Sequence, residues 1–259
     1  MRRPHWVGEV FVVACLLVVY DVVAGLVRVQ DDVAYAHGRA LLNLSPGRFE
    51  YTADHWLADI SWLQAPVSYY YDLAHINITM AIFIGCWVFR GAVYRRARNA
   101  LVAINVFGFT VFALYPAAPP RLLPAAGFVD IVAKSGTWGS WEGDATAVEH
   151  TNVFGSMPSL HLAWAVWVAL TVWSMTARRT WRALAWGHVA VTAVVVVITG
   201  NHYLVDLLAG TAAALAAWLL SGRLTGIYRR TTVTDRPMLP PSVAEPEAHR
   251  DLTGSLQGS

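Results

Sequence analysis

The chain has 259 residues, of which 56% are hydrophobic and only 14% charged, with a net charge of +2. Its apolar residues fall in runs long enough to cross a hydrocarbon core of roughly 30 Å, which takes about 20 helical residues. No water satisfies backbone N–H and C=O groups at that depth. Open sheets and lipid-exposed loops are thereby excluded, and the class is an all-α, polytopic membrane protein.

Six spans are predicted, at 9–27, 73–89, 99–115, 158–176, 183–199 and 203–221. Arg2 and Arg3 precede the first, as in a secretory signal peptide or a membrane anchor. The run outlasts a usual signal core and shows no clear small-residue cleavage pattern, which favours a retained anchor. Residues 28–72 then form a segment long enough for interfacial helices that cover the outer end of the bundle, and Asn43-Leu44-Ser45 within it reads as a chance sequon. His75, after Tyr69-Tyr70-Tyr71-Asp72, opens span 2 and fits either a polar cavity or simple interfacial packing. Cys15 and Cys86 lie inside spans and read as apolar residues, with no disulfide framework and no metal-ligand spacing. Tryptophans near span ends suit an aromatic belt. Trp138 to Asp144 and His150 offer an acceptor pocket without selecting an acceptor. His188, in mid-span 5, suits an interhelical hydrogen bond better than catalysis. Residues 223–259 are rich in Pro, Ser, Thr, Glu and Arg, so a disordered cytoplasmic tail is expected after a membrane domain at 1–222.

The charges alternate by side. Arg2 and Arg3, then Arg90, Arg95, Arg96 and Arg98, then Arg178, Arg179 and Arg182, then Arg223, Arg229 and Arg230 fall on one face. The other face receives Asp31, Asp32, Glu50, Asp54, Asp59 and Asp72 before span 2, and Asp130, Glu142, Asp144 and Glu149 before span 4. The arginine bias places both termini in the cytoplasm of a plasma-membrane protein. By the same reasoning the 3/4 loop and the short 5/6 turn face outward.

That placement gathers the polar motifs at one depth. Gly155-Ser156-Met157-Pro158-Ser159-Leu160-His161 leads into span 4, Thr199-Gly200-Asn201-His202-Tyr203-Leu204-Val205-Asp206 leads into span 6, and Arg121 follows span 3 in Tyr115-Pro116-Ala117-Ala118-Pro119-Pro120-Arg121. Polar residues at membrane depth default to function. Pro158 suits the first helical position, which makes Ser156 or Met157 the cap and leaves Ser159 among unpaired N–H groups that favour an anion. Arg121, on a proline-stiffened segment, suits bidentate contact with phosphate oxygens. His202 and Asp206, four apart, share a helix face, so the carboxylate can fix the tautomer that frees the other ring nitrogen to attack.

Pro158-Ser159-Leu160-His161, and His202-x-x-x-Asp206 followed by Gly210, resemble the motifs of the type 2 phosphatidic acid phosphatase superfamily, whose integral members have six helices. The longer strings Ser156 to His161, Gly200-Asn201-His202-Tyr203 and Pro119-Pro120-Arg121 are similar to its branch resembling inositol phosphorylceramide synthases. The resemblance implies phosphoryl transfer through a phosphohistidine: His202 the nucleophile, Asp206 its orienting partner, His161 the general acid, and Ser159 and Arg121 the phosphate ligands. No metal or nucleotide cofactor is implied; the partners would be a membrane lipid phosphate and a water, polyol or lipid acceptor, with no nucleic acid. Two cations of the superfamily pattern are missing. The only lysine, Lys134, follows Arg121 instead of preceding it, and Val196 stands six residues before His202 where an arginine is usual. Either Asn201 and the amides at the start of span 4 compensate or phosphate binding is weak, and the retained nucleophile, acid and orienting carboxylate favour the first; His75 is a further candidate lining residue. The competing readings are a lipid transport or scramblase-like protein whose polar cluster lines a path, and an inactive scaffold.

Overall fold

Helix α1 (Trp6–Arg28) is followed by three helices of the first connecting segment, α2 (Asp31–Asn43), α3 (Phe49–Ala58) and α4 (Ser61–Tyr69). A π-helical turn (Tyr70–Ala74) joins α4 to α5 (His75–Phe89), and α6 (Gly91–Leu114) returns antiparallel. After a 3₁₀ turn (Pro120–Leu122) and α7 (Ile131–Ser135), three helices close the bundle: α8 (Leu160–Met175), α9 (Arg179–Ile198) and α10 (Leu204–Thr234). This computed structural model describes residues 4–28, 31–45, 48–123, 125–137 and 153–234. Among the described residues the only pairing of strand type is an isolated bridge between Ala117 and Gly155.

Helix α8 is apolar on all sides, and it is accordingly the central helix, packed against α5, α6, α9 and α10. Apolar burial does not drive helices together in lipid, so close backbone approach over small residues takes its place. Ala97 and Ala100 of α6, Ala163, Ala165 and Ala169 of α8, and Ala214 and Ala217 of α10 are all buried. The indole of Trp167 fills the centre and donates to the Ala97 carbonyl at 2.7 Å, which satisfies its N–H.

The six predicted spans correspond to α1, the α4–α5 unit, α6, α8, α9 and α10. Five are long and apolar enough to cross a membrane: Trp6–Leu26, Ser61–Phe89, Gly91–Leu114, Arg179–Ile198 and Leu204–Arg223. At 16 residues α8 is shorter, ~24 Å at the usual helical rise. The second span begins earlier than 73 because the polar residues before it find partners. Gln64 donates to the carbonyls of Leu57 and Ala58, Ser68 to Ser135, and Thr137 to Asp72. Gln64, Ser68 and Asp72 recur every four residues and so form one polar stripe, and the helix continues through them. At the other end α10 runs to Thr234, so the first residues of the expected tail are helical; residues from 235 on lie outside the described ones.

Arg90, Arg98 and Arg182 gather at the end of α8 opposite His161. Arg90 donates to the carbonyl of Met175 and Arg182 to that of Thr176, at 3.1 and 2.9 Å. Glu9 is buried there against the Tyr94 hydroxyl and the Arg98 guanidinium, at 2.7 and 2.8 Å.

Gly210 sets the approach of α10 to the start of α8. A Cβ there would lie 2.3 Å from the Ser159 carbonyl oxygen, a backbone atom that cannot swing aside. Gly210→Ala is therefore expected to destabilise by ~3 kcal/mol, the upper end for overpacking. Thermal unfolding in detergent checks this, and an unchanged midpoint would show that the contact is not tight.

Candidate active site

The proline-rich segment after α6 is the hub of the site. The amide of Ala117 donates to the Phe154 carbonyl at 2.8 Å, that of Ala118 to Ala34 at 2.9 Å, and that of Arg121 to Gly200 at 2.9 Å. The Tyr203 hydroxyl returns to the Ala118 carbonyl at 2.8 Å. Extended proline geometry leaves these groups unpaired within the segment, and α2 and the turns that carry the two histidine motifs take them up.

Helix α9 ends at Ile198 and is closed by Gly200, whose φ of +65° suits the left-handed position after a helix. The Val196 carbonyl accepts from the amides of both Asn201 and His202, at 3.2 and 3.0 Å, so the chain reverses tightly. Val196 itself is buried in the core, and no cation occupies its position. His202 precedes the first helical residue of α10, while Asp206 stands in its first turn and accepts from the Tyr203 amide at 2.9 Å. Asp206 thus caps its own helix in the manner of a capping-box carboxylate. The same oxygen accepts from the Ser156 hydroxyl and lies 3.4 Å from Nδ1 of His202. Its other oxygen is buried without a partner.

Nε2 of His202 lies 3.3 Å from Nδ1 of His161. The His161 ring stacks on Tyr71 at 4.6 Å between centroids and meets His75 at 4.1 Å. Nδ1 of His75 is 2.9 Å from the Tyr71 carbonyl, so that nitrogen donates. Three histidines from three spans therefore stand in a row, with Asp206 at one end. The π-helical turn brings Tyr71 and His75 to the same wall, a common placement of such turns.

One expectation is corrected. Ser159, not Ser156 or Met157, is the cap of α8: its extended backbone places Oγ 3.3 Å from the Leu162 amide, and Pro158 stays outside the helix. The reason is its engagement with α10, where the Ser159 amide donates to the Asp206 carbonyl at 3.1 Å. Asn201 faces Arg121. Its carbonyl accepts from Arg121 Nε at 2.7 Å, and its amide nitrogen donates to the carbonyl and hydroxyl of Thr199 at 3.3 and 2.9 Å.

Arg121 is nearly buried and also pairs with Asp130 at 3.0 Å. His188 makes the interhelical bond expected of it, 2.6 Å from the Tyr70 hydroxyl. Glu142, Asp144 and His150 lie outside the described residues. Sequence reasoning gave no site role to Tyr71, Asp130 or the buried carboxyls of α3, and it read Ser156 only as a candidate cap. The one available signal was Ser156, three residues before Ser159 in the same polar string.

The helical membrane bundle thus brings a His–His–Asp array together at the starts of two spans. A family model described as the PAP2 superfamily matches residues 47–220. The chain belongs to this superfamily, as its motifs indicated. It is 29% identical over 184 residues to a protein named phosphoinositol dihydroceramide synthase from Bacteroides thetaiotaomicron, an alignment covering 61% of this chain and 60% of that protein. No solved structure matches.

Asp54 on α3, outside the spans, is buried beside this site. Burial pushes its carboxyl up to about 6, against the opposing Val129 amide and neighbouring His55, while Asp130 adds to the rise. A raised carboxyl favours the fold when protonated, so this stabilisation is present below pH 3.8 and lost as pH rises through about 6. The melting temperature of Asp54→Asn relative to wild type is expected to rise across that window. A difference independent of pH would contradict the assignment.

Proposed function

We propose that this protein is an integral-membrane lipid phosphate phosphatase or phosphotransferase that works through a phosphohistidine on His202. The observation that carries the reading is the line Asp206 Oδ2, His202 Nδ1, His202 Nε2, His161 Nδ1, with contacts of 3.4 and 3.3 Å at its two ends. The carboxylate holds a proton on Nδ1, so the lone pair is on Nε2, and the proton of the second contact belongs to His161.

Nε2 attacks phosphorus as the bond to the lipid oxygen breaks, and His161 Nδ1 gives its proton to that leaving oxygen. In the second half an acceptor hydroxyl attacks the phosphohistidine and returns a proton to His161, and the N–P bond breaks. Arg121, aimed by Asn201 and Asp130, holds the phosphoryl oxygens with the hydroxyl of Ser159. Water as acceptor completes a hydrolase, and a polyol or lipid hydroxyl a transferase. The relative is named for phosphoinositol dihydroceramide, so lipid hydroxyls are the first acceptors to test.

Arg90, Arg96, Arg98 and Arg182 occupy the end of the bundle opposite the histidines, which supports cytoplasmic termini and an extracytoplasmic site served from the outer leaflet of the plasma membrane. An apolar cleft of about 510 Å³, lined by residues that include Tyr70, Ile78, Leu184 and Val191, lies between the second and fifth spans and suits an acyl chain. A cysteine at Ala126 is expected to react with an impermeant thiol reagent in intact cells, and one at Arg98 only after permeabilisation. The reverse pattern would overturn the orientation.

A further inference from the structure

Helix α3 reaches the reaction centre from the segment between the first two spans. Glu50 and Asp54, one helical turn apart, are both completely buried, which is rare for carboxyls without a specific partner. Oε1 of Glu50 accepts from the Leu204 amide at 3.0 Å, and its other oxygen is held by the Ser45 hydroxyl. Leu204 lies midway between His202 and Asp206 and is the first residue of α10, so Glu50 satisfies an amide that the helix leaves unpaired. Asp54 accepts from the Val129 amide at 2.9 Å. The next residue, Asp130, caps α7 through the Ala133 amide and pairs with Arg121. Oδ1 of Asp54 is buried without a hydrogen-bond partner and lies 3.1 Å from where a Cβ on Gly200 would stand; the Arg121 Cβ is 3.2 Å from the same point.

Resting on the phosphoryl-transfer reading, we propose that Glu50 and Asp54 are positioning residues of the reaction, Glu50 fixing the turn that carries the nucleophile and Asp54 fixing the loop whose Asp130 aims Arg121. The two carboxyls serve different steps. Glu50 acts on the geometry of attack, because a shift of the Leu204 amide moves His202 relative to Asp206 and His161. Asp54 acts on phosphate binding, because release of Val129 frees Asp130 to turn away from Arg121. Helix α3 thereby ties both halves of the phosphoryl cage to one rigid element.

The test is rapid-quench kinetics of the purified full-length chain with phosphatidic acid labelled in its phosphate, repeated with a labelled phosphoinositol lipid. The amplitude of the phosphoenzyme burst counts competent sites, and its rate and half-saturating concentration report positioning. Glu50→Ala is expected to keep the amplitude and slow the burst about 30-fold, as for a lost buried hydrogen bond that leaves its donor unpaired. Glu50→Gln, which retains an acceptor for Leu204, is expected to recover about tenfold of that loss. Asp54→Ala is expected to raise the half-saturating concentration about tenfold with a smaller effect on rate, and Asp54→Asn to recover part of it. Reduced amplitude at the wild-type rate and half-saturation would mean that α3 serves folding alone, and would overturn the proposal. So would equal losses in Glu50→Ala and Glu50→Gln. A wild-type chain that forms no phosphoenzyme with either lipid would overturn the functional reading itself, and this inference with it.

Discussion

His202→Ala is expected to lower phosphoryl transfer by about four orders of magnitude or more, because it deletes the atom to which phosphorus bonds and leaves no second route to the intermediate. Its neighbour behaves differently. His161 serves the leaving oxygen, so His161→Ala is expected to slow a lipid phosphate by about 10² to 10⁴ and an activated aryl phosphate much less. Nε2 of His202 and Nδ1 of His161 lie 3.3 Å apart and face the same point, so it is their chemical roles that separate the outcomes. Steady-state rates of both variants on both substrates decide it. Near-wild-type turnover of His202→Ala would remove the nucleophile assignment, and equal losses of His161→Ala on good and poor leaving groups would remove the acid.

Arg121→Ala is expected to lose about 2 to 5 kcal/mol of transition-state stabilisation, the value of a charge-assisted bidentate contact in a dry site. The loss is large here because the two other cations of the superfamily pattern have no counterpart at their places: Val196 is buried among apolar residues, and Lys134 closes the last turn of α7. Arg121→Lys is expected to rescue poorly. Nε of Arg121 is committed to Asn201 and one Nη to Asp130, and a single ammonium cannot hold both supports while facing a phosphate. The ratio of kcat/KM for the two variants measures this. Equal activity of Arg121→Lys and wild type would reduce Arg121 to an electrostatic anchor.

The architecture and the composition of the candidate site were legible because hydrophobic runs report spans, and polar residues at span ends stand out against them. His161, His202 and Asp206 were recognisable as one group before any contact was known, since alternation of the arginines puts their helix starts on the same side. What sequence could not show was partner choice. Nothing in the local pattern says that Asn201 turns toward Arg121, eighty residues away, or that Asp130 pairs with it. Ser159 reads as a second helical residue behind a proline until α10 takes up its amide. Glu50 and Asp54 read only as charges of the outer face, and the Leu204 and Val129 amides they accept from explain their burial. The second span looked shorter than it is because Gln64, Ser68 and Asp72 resemble a loop when their interhelical partners are unseen.

The central claim is that a phosphoryl group resides on His202 during turnover. Its most direct measurement is acid-avoiding quench of the wild-type protein during reaction with a phosphate-labelled lipid, followed by peptide mapping of the label under alkaline conditions that preserve phosphohistidine. The label is expected on the peptide containing His202 and absent from the His202→Ala protein. Turnover of the same lipid with no label on His202, or with label on another residue, would contradict it.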